Sequence, residues 1–191
     1  MQYSDATINP STEILIAENI KVLREAQKLL ECMDDRTYTK VDAPTFTSSL
    51  GAQLRHCLDF YQCFLTGVKN GKVDYDLRER DEVTEHSRTR AIERIVMTTE
   101  LLWKLSLLEE PTTLWVKQDS PYWSTSSLRR ELQFLLSHLV HHQALVAVML
   151  RLQGFVPNED IGVAPATLAY RKERHPFNVL RQRQPRLSLV L

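Results

Sequence analysis

Three histidines lie close together in one apolar stretch, LRRELQFLLSHLVHHQALVAVMLRL at residues 128–152. His138 and His142 are four residues apart, so in a helix both side chains project from one side. Each neutral imidazole carries one hydrogen-bond donor and one acceptor. On an inward, apolar face the pair therefore needs polar partners or a metal ion, for which neutral imidazole is a common ligand.

The spacing leaves several alternatives open. Buried histidines are often satisfied by a carboxylate or a backbone carbonyl, and Glu131 is close enough in sequence to serve. Glu131 is also the best-placed carboxylate for a general base, although a structural or capping role fits its position better. His141 and His138 are three residues apart and share a face too. The apolar neighbours of His142 favour it over His141 as the partner of His138.

Long amphipathic helices are predicted to carry these residues. Residues 128–152 contain no Gly or Pro, and Leu and Val recur at helical spacing, which indicates one helix over the whole stretch. The same criteria predict three earlier helices, at residues 13–33, 50–65 and about 83–108. Ser11 or Thr12 would cap the first, and Pro111 would end the third. The second is apolar nearly all round, which places His56 in the protein interior.

The connections are predicted from their turn residues and charges. Residues 34–47 indicate a loop, and the charged residues 70–85 an extended connection with a tight turn at Asn70-Gly71. Alternation of side-chain types over residues 112–124 predicts a short strand or hairpin. Residues 156–169 indicate a loop that packs back on the helices. Four long helices with one long crossover predict an all-α four-helix bundle, in whose core metal sites are often built.

Composition and charge narrow the function classes. The chain has 191 residues, 43% of them hydrophobic, which is enough for one substantial core. We expect a single domain over residues 1–170 and a basic tail over residues 171–191. The formal net charge is zero, so the basic tail implies an acidic body. Such a body opposes nucleic-acid binding, and the tail is expected to be solvated or docked on the domain.

Cysteine usage and the N-terminus predict a soluble, cytoplasmic protein. Cys32, Cys57 and Cys63 have no CxxC spacing and cannot all pair, which favours a reducing compartment. Cys57 follows His56, and a buried structural thiol is expected there rather than a reactive one. The first residues lack the pattern of a signal peptide, and no uninterrupted apolar run reaches about 18 residues, so no membrane association is expected.

Two motifs carry a family resemblance. GAQLRHCLDFY (residues 51–61) and HLVHHQA (residues 138–144) resemble the DinB/YfiT-like superfamily of helical bundles, over roughly residues 12–153. The resemblance implies that His56, His138 and His142 together hold a divalent ion, and that the protein is a homodimer. The chain departs from many relatives in residues 143–145, where Gln-Ala-Leu replaces Arg-Gly-Gln. Residues 75–81 look like a feature of an uncharacterised branch, and residues 171–191 have no counterpart.

The resemblance and the chemistry of imidazole imply a metal-dependent function. Three neutral imidazoles suit zinc or nickel and leave a coordination position open. A hydrolase or a low-molecular-weight-thiol-dependent transferase acting on a small molecule is therefore the first hypothesis. The alternative is a noncatalytic dimer with a vacant or vestigial site. It would bind through the aromatic residues Trp103, Trp115, Trp123 and Tyr122, although tryptophans are more often core and loop anchors.

Overall fold

The computed structural model describes residues 10–107 and 113–174, which form seven α-helices and a small sheet. The helices are α1 (Pro10–Glu31), α2 (Asp35–Thr39), α3 (Leu50–Gly67), α4 (Glu82–His86), α5 (Arg88–Leu105), α6 (Leu128–Leu152) and α7 (Pro165–Arg174). The strands are β1 (Lys72–Asp74), β2 (Leu114–Lys117) and β3 (Ser124–Ser126). Helix α5 ends at Leu105, before the predicted end of helix three at about residue 108. Pro111 and residues 175–191 of the basic tail lie outside the described residues.

The four long helices surround the hydrophobic core. Helix α1 packs against α5 and α6, and α3 packs against the same two helices. Their inward faces supply fully buried side chains such as Leu30, Phe64, Ile95 and Leu132. The predicted helical class is confirmed in this mostly helical arrangement, although the three-stranded sheet is larger than the single strand or hairpin expected.

Serine side chains define where three of the helices begin. The Ser49, Ser87 and Ser127 side chains accept hydrogen bonds from backbone N–H groups in the first turns of α3, α5 and α6. Such caps satisfy donors that the helix itself cannot. The predicted bounds of α6 are confirmed. The prediction of one continuous helix three is wrong, because Ser87 leaves the helical conformation (φ −126°, ψ 106°) and separates α4 from α5.

Two further predictions near the N-terminus are corrected. Helix α1 begins at Pro10, so Ser11 and Thr12 lie inside it rather than before it. Proline suits a first helical turn because its missing N–H would have no partner there. The predicted loop of residues 34–47 contains the short helix α2, whose first turn donates from the Thr37 N–H to the Asp34 side chain.

The charged residues 70–85 are not one extended connection. They form β1, a single turn of 3₁₀ helix at 75–77 and α4. Val73 and Tyr75 are fully buried and attach the segment to the core. The tight turn predicted at Asn70-Gly71 is present, with Gly71 in the left-handed region (φ +68°). Strand β1 pairs parallel with β2, an addition that alternation in the sequence did not predict.

The predicted hairpin between the third and fourth long helices is confirmed. Strands β2 and β3 are antiparallel, with Trp115 opposite Thr125. The C-terminal segment also packs back as predicted, because Gly162 lies directly against the backbone of Ala144 on α6 and Ile161 contacts the core. Part of the loop predicted at residues 156–169 is instead the start of α7.

Helix α6 is long and apolar enough to cross a membrane by length and composition alone. A helix in the core of a soluble protein meets the same criterion. In this structure α6 packs against α1 and α3, and residues along much of its length are buried. Packing between helices therefore accounts for its apolar composition.

We predict that Gly51→Ala destabilises the protein, because α3 and α4 touch at this glycine. An added Cβ would overlap the backbone oxygen of Glu85 and the ring of Tyr38. Relief requires moving backbone, so the free energy of unfolding should fall by roughly 1–3 kcal/mol. Urea unfolding followed by circular dichroism measures the loss. Gly154→Ala is a useful comparison, since no atom lies within 4 Å of its added Cβ and only its positive φ would be strained.

Candidate metal centre

Three histidines from two helices meet at the interface of α3 and α6. The Nε2 atom of His138 lies 3.2 Å from Nε2 of His56 and 3.1 Å from Nε2 of His142. One ring nitrogen from each of the three side chains lies within 4.8 Å of the other two. His138 and His142 occupy successive turns of α6, as their spacing predicted, and the packing of α3 brings His56 to them. All three side chains are half-buried.

The three nitrogens cannot satisfy one another by hydrogen bonds alone. A ring nitrogen offers either one N–H donor or one lone pair, so Nε2 of His138 can pair with only one of its two neighbours. The other contact, between half-buried nitrogens, stays without a hydrogen bond. A cation at the centre would accept all three lone pairs and remove the conflict. The arrangement therefore fits a metal ion better than a purely structural hydrogen-bonded cluster.

The electrostatic environment keeps these imidazoles neutral at pH 7. Burial, followed by the effect of the neighbouring histidines, lowers the pKa of His138 to about 3 and that of His142 to about 4. Burial and the positive charge of Arg78 also lower the pKa of His56. Because only a neutral imidazole has a free lone pair, all three side chains are available as ligands at physiological pH.

Gln53 determines which nitrogen of His142 carries the proton. Its Oε1 atom lies 2.6 Å from Nδ1 of His142. An amide oxygen only accepts hydrogen bonds, so Nδ1 must donate, and the lone pair is left on Nε2. This is the nitrogen that faces His138. Partners of this kind orient a ligand histidine and fix its tautomer.

We predict that Gln53→Leu weakens metal binding by roughly 10- to 100-fold, the usual effect of losing such a partner. Leucine keeps the approximate volume but cannot accept the Nδ1 proton, so His142 can turn or change tautomer. Titration with zinc in competition with a chelating dye measures the affinity. Gln53→Glu, which retains an acceptor, should bind zinc at least as tightly as the wild type. Equal affinities for the leucine variant and the wild type would contradict the prediction.

Aromatic rings from α3, α6 and the 75–77 turn pack beside the histidines. The ring of Phe60 lies 4.4 Å from His138 and 5.0 Å from His56 between centroids. Phe134 stacks nearly parallel to His138, and Tyr75 contacts both phenylalanines. Phe60 and Tyr75 are almost completely buried. These rings reduce the access of water and hold the imidazoles in place.

Two buried carboxylates do not join the site. Glu131 accepts hydrogen bonds from the hydroxyls of Tyr75 and Ser126. It therefore connects α6 to the 75–77 turn and to β3, which agrees with the structural role expected for it. Asp59, on the same helix as His56, is 2% exposed and accepts hydrogen bonds from Arg55 and Arg94 instead.

Two further residues near the triad are not part of it. His141 is exposed, and its ring lies edge-on to that of His142. Within residues 10–107 and 113–174, the group able to hold an ion contains His142 and not His141. Cys57 is buried, and burial raises the pKa of its thiol, so it is the inert structural cysteine that was expected.

The aromatic residues of the binding hypothesis lie on the surface. Trp103, Trp115, Tyr122 and Trp123 are between 41% and 78% exposed, so none of them is a core anchor. Trp123 is flanked by the ammonium groups of Lys72 and Lys117. Gln53 and Arg78 were not predicted from the sequence. Gln53 had a signal, because it lies three residues before His56 on the same helical face.

The donor set suits a late first-row ion. Three imidazole nitrogens on a tetrahedral zinc ion, at about 2.0–2.1 Å from the metal, lie roughly 3.4 Å apart. The two shorter Nε2 separations are close to this value. The set contains no carboxylate, which disfavours calcium and magnesium. Three protein ligands also leave a fourth position for another molecule.

Comparisons with known proteins give one family match and one partly aligned relative. The model of the DinB family matches residues 9–173. FK506-binding protein 5 of Rhizopus delemar is 34% identical to this chain over 109 residues. The aligned part is 53% of this chain but only 28% of that protein, so the chain spans well under half the length of this curated relative.

Proposed function

The chain belongs to the DinB family, and we propose that it is a divalent-metal-dependent enzyme in which His56, His138 and His142 hold the ion. The observation that carries the proposal is the convergence of three neutral imidazole nitrogens that cannot all pair with one another. Zinc or nickel is the proposed ion, since both accept three nitrogen ligands. The four-helix bundle of the DinB/YfiT type is the proposed fold, with a homodimer as the proposed assembly and the cytoplasm as the proposed compartment.

The proposed reaction is hydrolysis of a small molecule or transfer of a low-molecular-weight thiol. A bound ion would act as a Lewis acid with one open coordination position. Water or a thiol at this position would lose its proton near neutral pH. The protein contributes orientation. Gln53 holds the proton on Nδ1 of His142, and Phe60 and Phe134 limit the entry of water beside His138. No described carboxylate contacts the three imidazoles, so no protein general base is assigned.

Elemental analysis tests the proposal directly. The protein should be purified without an affinity tag or added metal, then measured again after chelation and reloading with zinc or nickel. We expect close to one equivalent of metal per chain and a higher melting temperature on reloading, because an ion that binds only the folded state stabilises it. Screening of thiol-transfer and hydrolysis substrates would follow. Failure to retain zinc or nickel after reloading would overturn the proposal.

The alternative function is a noncatalytic binding protein. Trp115, Tyr122 and Trp123 favour it, because they leave exposed aromatic side chains in and next to strands β2 and β3. This alternative would be supported if the wild-type protein binds no metal and is a dimer, and if the Trp115→Ala variant is a monomer. A metal-loaded protein that turns over a substrate would exclude it.

A further inference from the structure

Arg78 is a half-buried arginine without a carboxylate partner among the described residues. Its Nη1 donates a hydrogen bond to the carbonyl oxygen of Tyr75, and its guanidinium lies 4.3 Å from the ring centre of Phe60. The half-buried arginines of α3 and α5 are all paired with at least one carboxylate within 4.0 Å: Arg55, Arg88, Arg90 and Arg94. Arg78 therefore keeps most of its five N–H donors available.

The guanidinium of Arg78 reaches the histidine site through one shared neighbour, Phe60. The Phe60 ring contacts Arg78 and also packs against His56 and His138. A small molecule at the open metal position would therefore have an unpaired guanidinium within its reach.

The surroundings favour a ligand with a single negative charge. Glu79 follows Arg78 in the chain and lines one cavity together with Asp74 and Cys63. Arg78 is thus one cation in a neighbourhood that also holds carboxylates, and these would repel a phosphate dianion. A planar carboxylate matches the two parallel N–H groups of a guanidinium and needs only one positive charge.

We propose that Arg78 binds the carboxylate of the small-molecule ligand whose other end occupies the His56–His138–His142 site. The substrate class is a monocarboxylate that also carries a metal-binding group. The inference rests on the proposed function for the metal position. It assigns to Arg78 a role in specificity, whereas the histidines carry the metal.

Two thiols with the same two-carbon spacer, one ending in a carboxylate and the other in a neutral hydroxyl, test the role of Arg78. The protein loaded with Co²⁺ is titrated with 3-mercaptopropionate and with the neutral 2-mercaptoethanol, and binding is followed by thiolate-to-cobalt absorption. We expect the acid to bind roughly tenfold more tightly than the neutral thiol, as a charge-assisted pair provides. Arg78→Gln should remove this preference and leave the affinity for 2-mercaptoethanol within about twofold of wild type. Arg78→Lys should recover part of it.

Arg80→Gln is the matched control, because Arg80 is exposed and lies two residues after Arg78, so this variant removes the same charge from a nearby surface position. It should keep the preference for the acid. A preference that survives in Arg78→Gln, with Co²⁺ still bound, would overturn the inference and leave the proposed metal site intact.

A second measurement separates this inference from the metal site. In the metal-free wild-type protein, propionate should shift the Nε–H resonance of Arg78, and propionamide should not. If the protein binds no Co²⁺, the proposed function fails, and this resonance alone decides whether Arg78 binds carboxylates. Equal shifts with the two probes, or none with either, would overturn the role of Arg78.

Discussion

The His138→Ala/His142→Ala double variant is expected to lose its metal almost completely, with affinity falling on the order of a thousandfold or more. The loss of one partner of a ligand histidine already costs roughly 10- to 100-fold, and this variant removes two of the three ligands themselves. Only His56 would remain, and a single half-buried imidazole cannot hold an ion against water. Metal content by elemental analysis and zinc affinity by dye competition measure the effect.

The control for this prediction is His141→Ala. His141 is adjacent to His142 in sequence but exposed and outside the group of three, so its variant should bind about one equivalent of metal. Circular dichroism of both metal-free variants checks that the helices remain. Wild-type metal content in the double variant, or its loss in His141→Ala alone, would contradict the assignment of ligands.

Asp59→Ala is expected to lower the free energy of unfolding by about 3–5 kcal/mol, the range found when one partner of a buried ion pair is removed. Asp59 is 2% exposed and accepts hydrogen bonds from Arg55 at 2.9 Å and from Arg94 at 3.0 Å. Without it, two largely buried guanidiniums between α3 and α5 would retain, among residues 10–107 and 113–174, only Glu85 and Asp81 as carboxylate partners. Urea unfolding in the presence of a chelator measures the change without a contribution from metal.

Glu93→Ala is the appropriate comparison for Asp59→Ala. Glu93 also pairs with an arginine, Arg90, but its side chain is 57% exposed. An exposed pair of this kind contributes less than about 1 kcal/mol, because water screens the charges. Similar losses for the two variants would mean that burial of Asp59 does not determine its contribution.

Much of the fold follows from the sequence because its signals are local. Helix α6 has the predicted bounds, since an uninterrupted apolar period and a serine cap depend only on nearby residues. The pairing of His138 with His142 is likewise a property of one helix. Local signals failed in residues 70–85, where many charges concealed the buried Val73 and Tyr75.

Contacts between distant parts of the chain decided the rest. The spacing of residues within α6 could not identify His56 as the third ligand, and only the family resemblance suggested it. The packing of α3 against α6 brings His56 to the other two histidines. Arg78 comes to the same place because the chain turns after β1, and no periodicity encodes that path. Asp59 is buried because two arginines from different helices neutralise it. The sequence by itself therefore determined the helices and one histidine pair, whereas long-range packing decided the third histidine, the unpaired arginine and the buried charge.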